Sequence, residues 1–420
     1  MNRLIKQALI NDPQSPFNGK TVDILIQNGV IHEIGDSISA ENCEVLDFAQ
    51  ATVSPGWVDI FAHLADPGLE HKETIATGLK AAAAGGYTGV MCIPNTNPVI
   101  DNKTQIEYLL HQSSSAVSTI FPIGAVSKKA AGQDLAEMHD MKNSGAVAFS
   151  DGTHPIQSSG ILVKALQYVK AFDGVIIQIP DDTSLGGHGQ MHEGLVSTQL
   201  GMPGKPMLAE ELIVARDIKL ARYAESKIHF TGVTSPKSLE YIRRAKESGA
   251  QVTCSVTPHH LFFTDKDLWE YDSNLKVYPP LRTEKEVSAL KAAVLDGTVD
   301  SFATHHLPHE IDSKMVEFEY AGFGIIGLQT SYSVLQTVLE DLPNSKWTEL
   351  LSINPRKIFG LPAASITIGA KADLTIYKSN DYQNFTSAAI HSKSKNTPFL
   401  NRNLKGKVLG IINGSKLHLN

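Results

Sequence analysis

Short apolar runs of the β type mark both ends of the chain. Near the start they are VDILI (22–26), VIHEI (30–34) and EVLDF (44–48), with Asn28-Gly29 as a turn between the first two. Near the end, DLTIY (373–377) and KVLGIING (407–414) have the same texture. The two ends are therefore expected to form one small β domain, a β-sandwich drawn from residues 1–54 and 361–420. The middle reads differently. Eight apolar runs fall near 57–63, 87–93, 119–124, 145–149, 174–179, 227–233, 250–256 and 299–304. Helical periodicity lies between most of them, for example at 74–86, 209–226 and 235–249, each ending at glycine or serine. Strands alternating with helices in this number predict a (β/α)8 TIM-type barrel over 55–360, with its site at the C-terminal ends of the strands. A doubly wound open sheet is the alternative, but no GxGxxG or GxxxxGKS/T stretch gives it a nucleotide-binding turn.

Charge and cysteine usage narrow the classes of partner. The formal charge is -7 and is spread without long runs, which argues against nucleic acid and anionic membranes. No apolar run reaches membrane-spanning length. The opening MNRLIKQALINDP lacks a long apolar core and a small-residue cleavage site, so it reads as a first strand. A soluble cytoplasmic protein is the expectation. Cys43, Cys92 and Cys254 form no CxxC pair and read as small buried hydrophobes of a reducing compartment.

Candidate chemistry begins on the first barrel strand, VDIFAHLADPG (58–68). Alternate strand residues share a face, which puts Asp59, Phe61 and His63 together. An H-x-H pair there would present two imidazoles to one metal ion. This chain has F-x-H, and a lone His63 reads better as a hydrogen-bonded histidine near the barrel mouth.

These motifs carry a resemblance. Asp59, His63, Asp66, Pro67 and Gly68 match the D-x-H-x-H-x-R-E/D-P-G pattern of the dihydroorotase family, class I type, in the amidohydrolase superfamily. Lys72, Glu73, Pro94, Asn95, Thr96 and Pro98 follow in the family's order. Further along come HGQMHEGLVSTQLGMPGKP, VTCSVTPHHLFFT, VYPPLRTEKE, THHLPH, NPRKIFGL and GAKADLTIY. The resemblance covers essentially the whole chain.

It implies a metal-dependent hydrolase barrel holding one or two zinc ions, and it also shows where this chain departs. The first paired histidine is Phe61 and the second is His63. The acidic bridge region keeps only Asp151. The next two histidine positions are Gln178 and Gly232, although His229 is nearby, and the strand-8 aspartate is His305. The arginine that grips the substrate carboxylate is Ala65, and an asparagine before PPLR is Tyr278. Asn95 and His309 resemble surviving substrate contacts. No bound cofactor is therefore expected, and His305 is the one candidate proton carrier, stranded without metal-activated water. The losses fall on chemical positions in several strands, whereas the scaffold motifs remain. That pattern fits a degenerate, non-catalytic member acting as a structural partner of aspartate carbamoyltransferase, or as a homo-oligomer.

Two other readings stay open. One is an active cyclic-amide hydrolase, converting carbamoyl-aspartate to dihydroorotate, with a re-wired metal site. Such a site would use His63, Asp151 and His305, with His306, His309, His188 and His192 as further donors among the 16 histidines. The other is a metal-independent binding or lyase activity in the same pocket.

Overall fold

The computed structural model describes residues 2–48 and 50–420. Eight parallel strands form the barrel wall: β1 (Trp57–Ala62), β2 (Tyr87–Cys92), β3 (Thr119–Gly124), β4 (Ala148–Phe149), β5 (Val175–Gln178), β6 (Lys227–Phe230), β7 (Val252–Val256) and β8 (Ser301–Phe302). They are hydrogen-bonded in chain order. A parallel bridge between Ala62 and His306 closes the ring just beyond β8. Asp59 reinforces the seam by accepting from the Thr304 backbone N–H (2.7 Å) and hydroxyl (2.9 Å). The open-sheet alternative is thereby excluded.

Fully buried parallel strands need apolar side chains on both faces, which is why these segments read as continuous apolar runs. One face fills the barrel, where Ile60, Phe61, Met91, Ile93, Ile123, Ile177 and Ala303 share a cluster. The other packs under the helices. Helix α1 (Ile75–Ala84) starts at Thr74, whose hydroxyl caps the Thr77 N–H, and stops at Gly85. Helix α2 spans Leu208–Ala224. Helix α3 (Pro236–Glu247) has Ser235 as N-cap and proline at its first position.

The β domain expected from the two termini is one continuous eight-stranded mixed sheet. It takes Arg3–Ile10, Thr21–Gln27, Val30–Gly35, Glu44–Asp47 and Thr52–Pro55 from one end, and Asp373–Asn384, Asn403–Asn413 and Lys416–Leu419 from the other. The termini meet where Leu374–Tyr377 runs antiparallel to Thr52–Pro55. Its core is rich in isoleucine, with Ile5, Ile24, Ile26, Ile376 and Ile412 all buried.

One stretch assigned to the small domain leaves it. Asn384 and Asn403 face each other across a ladder, and the segment between them extends to the barrel mouth. There Phe385, Ile390 and Phe399 pack with Phe263 and Ile325. Among the described residues, no helix is long and apolar enough to cross a membrane.

Candidate active site

A cavity of about 450 Å³ opens at the C-terminal ends of the strands. Phe61, His63, Asn95, Tyr278, His305 and His309 all line it, so the barrel assembles most of the singled-out positions in one place. Gln178 does not reach it. Its side chain turns outward, exchanging hydrogen bonds with the Ile156 backbone and donating to Asp217 on α2. Ile179 lines the cavity instead.

His305 organises the floor. Its backbone has a positive φ of 46°. Its ring lies 4.7 Å from that of Phe61, centroid to centroid. Its Nε2 is 2.8 Å from the Thr231 hydroxyl, and it also bonds the Tyr278 backbone. Behind Thr231 runs a buried chain with a definite direction. Ser255 donates to Thr231 Oγ1 (2.9 Å), so the Thr231 proton is free to go to His305 Nε2. Ser255 in turn accepts from His229 Nε2 (3.0 Å), and His229 Nδ1 accepts from Thr253 (2.8 Å). Every hydroxyl in the chain is thus committed. Burial pushes both imidazoles down to about 3, which keeps them neutral. The His305 lone pair that a general base would use is occupied by Thr231.

Gly232 completes this arrangement. A Cβ added there would lie 2.6 Å from His305 Cε1, and the residue sits at φ +70°. The imidazole of His305 therefore fits only because position 232 has no side chain.

The remaining donor positions are engaged in part, with His63 Nδ1 and His309 Nδ1 buried and unpartnered. His63 Nε2 donates to the Asn95 carbonyl (2.9 Å), leaving Nδ1 buried without a partner, and burial takes its pKa down to about 4. Asp151 accepts from both the backbone and hydroxyl of Ser127, and burial raises its pKa. The Asn95 amide bridges the Asp151 carbonyl and the Thr153 N–H. His309 Nε2 donates to the Phe323 carbonyl (2.9 Å). His192 accepts from Arg282, and His188 is exposed. Ala65 is fully buried and offers no polar side chain.

A zinc ion does not fit these residues. Phe61 and Gly232 carry no donor, Gln178 points away, and Asp151, His229 and His305 each satisfy protein partners, which leaves His63 Nδ1 as a lone nitrogen. Among the described residues, no three His, Cys, Asp or Glu side chains form a group able to hold a metal. The re-wired set of His63, Asp151 and His305 is not brought together.

Two pairings in the wall were not anticipated from the sequence, although His306 and Tyr278 themselves were named there. His306 Nδ1 accepts from the Gly327 backbone, which directs Nε2–H towards buried Glu73 at 3.5 Å, an electrostatic contact. On the opposite side, Asp181 accepts a hydrogen bond from the Tyr278 hydroxyl and pairs with Lys205 Nζ (2.8 Å). Burial, with Asp181 beside it, pushes the Tyr278 phenol far up and keeps it a donor. Lys205 lies in a short ladder, Met191–His192 against Gly204–Lys205, within the long connection after β5.

The closed barrel and the sheet from both termini define a (β/α)8 barrel protein with an appended β domain. Solved structures of similar shape include the L-hydantoinase (dihydropyrimidinase) from Arthrobacter aurescens, with a TM-score of 0.87 and 21% identity over 99% of this chain and 95% of that one. A D-hydantoinase gives a TM-score of 0.86 and 19% identity over 100% and 95%. A dihydro-orotase-like family model matches residues 51–238. The chain is 41% identical to a dihydroorotase of Citrifermentans bemidjiense over the full length of both. It is 40% identical to one of Geobacter metallireducens over 99% of each. The chain belongs to the dihydroorotase family.

Proposed function

We propose that this chain is a non-catalytic member of its family, serving pyrimidine biosynthesis as a structural partner of aspartate carbamoyltransferase. The observation that carries the reading is the seating of His305 over Gly232 and against Phe61. It puts an apolar ring and an engaged imidazole at two of the positions from which a hydrolytic centre would need ligands. Amide hydrolysis or ring closure at neutral pH requires activated water or a strong general base, and the His305 lone pair is engaged by Thr231. The partner role rests on the selective survival of scaffold motifs in a chain whose reactive positions have changed.

The test has two arms. The purified full-length protein, with and without added zinc, is assayed for interconversion of carbamoyl-aspartate and dihydroorotate. It is also passed over immobilised aspartate carbamoyltransferase. The reading expects no turnover and a retained complex. Turnover at ordinary enzymatic rates overturns the first half, and failure to form any complex overturns the second. The similarity to relatives named dihydroorotase favours the competing reading of an active cyclic amidohydrolase, and the same assay decides between them.

A further inference from the structure

Five side chains link the two ends of the barrel. Thr253 and Ser255 share one face of β7, and His229 and Thr231 share one face along and just beyond β6. Thr253 and His229 stand opposite each other in register. The side chains zigzag upward from Thr253 through His229 and Ser255 to Thr231, at spacings of 2.8, 3.0 and 2.9 Å. They end on His305 Nε2, 2.8 Å from Thr231. His305 lines the cavity at the mouth. Thr253 lines a separate cavity of about 410 Å³ at the N-terminal ends of the strands, beside Val175, Ile228 and Val252.

The direction of this ladder is decided at one end only. The His305 ring donates to the Tyr278 carbonyl, which can only accept, so its Nε2 carries no proton and accepts from Thr231. Each group below then passes its own proton upward. His229 has no such local instruction. Both of its nitrogens meet hydroxyls, and a hydroxyl donates or accepts, so its two neutral tautomers are locally equivalent. Its Nε2–H form is imposed by His305 through two intervening hydroxyls.

We propose that the ladder is a two-state relay with His229 as its bistable member, tying the hydrogen-bonding character of Thr253 at one end of the barrel to the hold of Tyr278 on His305 at the other. In the present state the Thr253 proton points to His229, and Thr253 offers the lower cavity only lone pairs. Release of His305 by Tyr278 lets the whole ladder reverse. Each proton then hops one place upward, breaking one O–H or N–H bond and forming the next. Thr253 regains a proton from water in the lower cavity, and His305 gives its Nδ1 proton to water at the mouth, so the protons balance. Thr253 then donates to the lower cavity instead of accepting from it. By linkage, a group there that accepts from Thr253 favours the reversed state, and one that donates to it favours the present state.

Heteronuclear NMR of the imidazole nitrogens in the full-length protein tests this at neutral pH, where both rings are uncharged. Wild-type His229 should favour Nε2–H by about tenfold or more, since reversal gives up one buried hydrogen bond at His305. Thr231→Val leaves both hydrogen-bond partners of His229 in place but removes the acceptor of the Ser255 proton. That proton should turn to His229 Nε2 and make Nδ1–H the major form. His305→Phe cuts the ladder at its upper end and should reverse the His229 ring in the same way. Thr231→Ser keeps the hydroxyl and should leave the ring as Nε2–H. A wild-type His229 that is mixed or Nδ1–H would overturn the proposal. So would a tautomer ratio that moves by less than about threefold in both Thr231→Val and His305→Phe.

Discussion

Gly232 and His305 are shaped for each other: the imidazole of one occupies the volume that any side chain on the other would claim, with 2.6 Å between His305 Cε1 and a built Cβ. Two positions in different βα loops therefore constrain each other's side chains. Restoring a histidine at 232 alone places a ring where a ring already stands.

Gly232→His should accordingly destabilise the fold by about 2–4 kcal/mol, combining overpacking with the cost of a side chain at positive φ. Adding His305→Asp removes the ring contact and should recover about half of that loss, since aspartate tolerates the positive φ of position 305. Urea midpoints of the wild type, the single variant and the pair measure the coupling. A double variant no more stable than the single one would show that the two sites act independently.

Phe61→His tests whether one histidine is enough to invite a metal. The change exchanges packing in the barrel interior for a nitrogen that no neighbour is placed to satisfy. The expected result is a loss of roughly 1–3 kcal/mol with no stoichiometric zinc, because Asp151 and His305 keep their protein partners and His63 adds only one free nitrogen, short of three ligands. Elemental analysis after dialysis against zinc, beside a denaturation curve, reads both quantities.

Buried imidazoles make the fold acid-sensitive. Burial lowers His63 and His309 to about 4, and His229 and His305 to about 3, against about 6.5 in the unfolded chain. Between those limits the unfolded state binds more protons, so stability is full above pH 6.5 and falls as the pH drops towards 4. Asp59 and Asp217, raised by burial to about 6, act in the opposite sense between 3.8 and 6, but they are fewer. The urea midpoint should therefore fall from pH 7 to pH 5. His229→Gln should flatten that dependence by ~2 kcal/mol over the interval. An unchanged slope in His229→Gln would mean that this ring does not stay neutral.

Asn396 holds the barrel mouth from outside the barrel. Its side chain donates to the Leu307 and Gly324 carbonyls and accepts from the His309 N–H. Asn396→Ala should cost about 2–4 kcal/mol, because three backbone groups, one of them fully buried, lose their partner. Hydrogen exchange should quicken at 307–309 and 324–326 and stay unchanged in β3 and β4. Uniform acceleration would point to global loosening instead.

Much of the barrel was legible in the sequence because a parallel strand buried on both faces cannot alternate. Runs such as 87–93 and 250–256 stand out against polar loops, and the observed strands fall within them. Helix limits were legible where capping residues mark them, as at Thr74 and Ser235. The chemistry was legible only as substitutions at strand ends. That His305 fills the space over Gly232 depends on two loops 73 positions apart in the chain, and no local pattern encodes such a fit. The outward turn of Gln178 was hidden for the same reason, since its partners Ile156 and Asp217 come from flanking connections. Lys205 sits in a long connection whose path the sequence does not reveal. An isolated lysine beside proline and glycine gave no reason to place it in a cavity.

The excursion between Asn384 and Asn403 leaves and re-enters the terminal sheet at residues that already face each other. In construction terms it is a bracket bolted to one beam and clasping another. Its Ser392 and Lys393 grip Glu73, and its Asn396 grips the strand-8 loop. Replacing it with a tight turn would leave both sheets with their full sets of rungs. What such a surgery would remove is the outer clasp on the cavity, while the sheet would still grip the barrel wall through pairs such as Arg356–Asp373 and Asn413–Thr119.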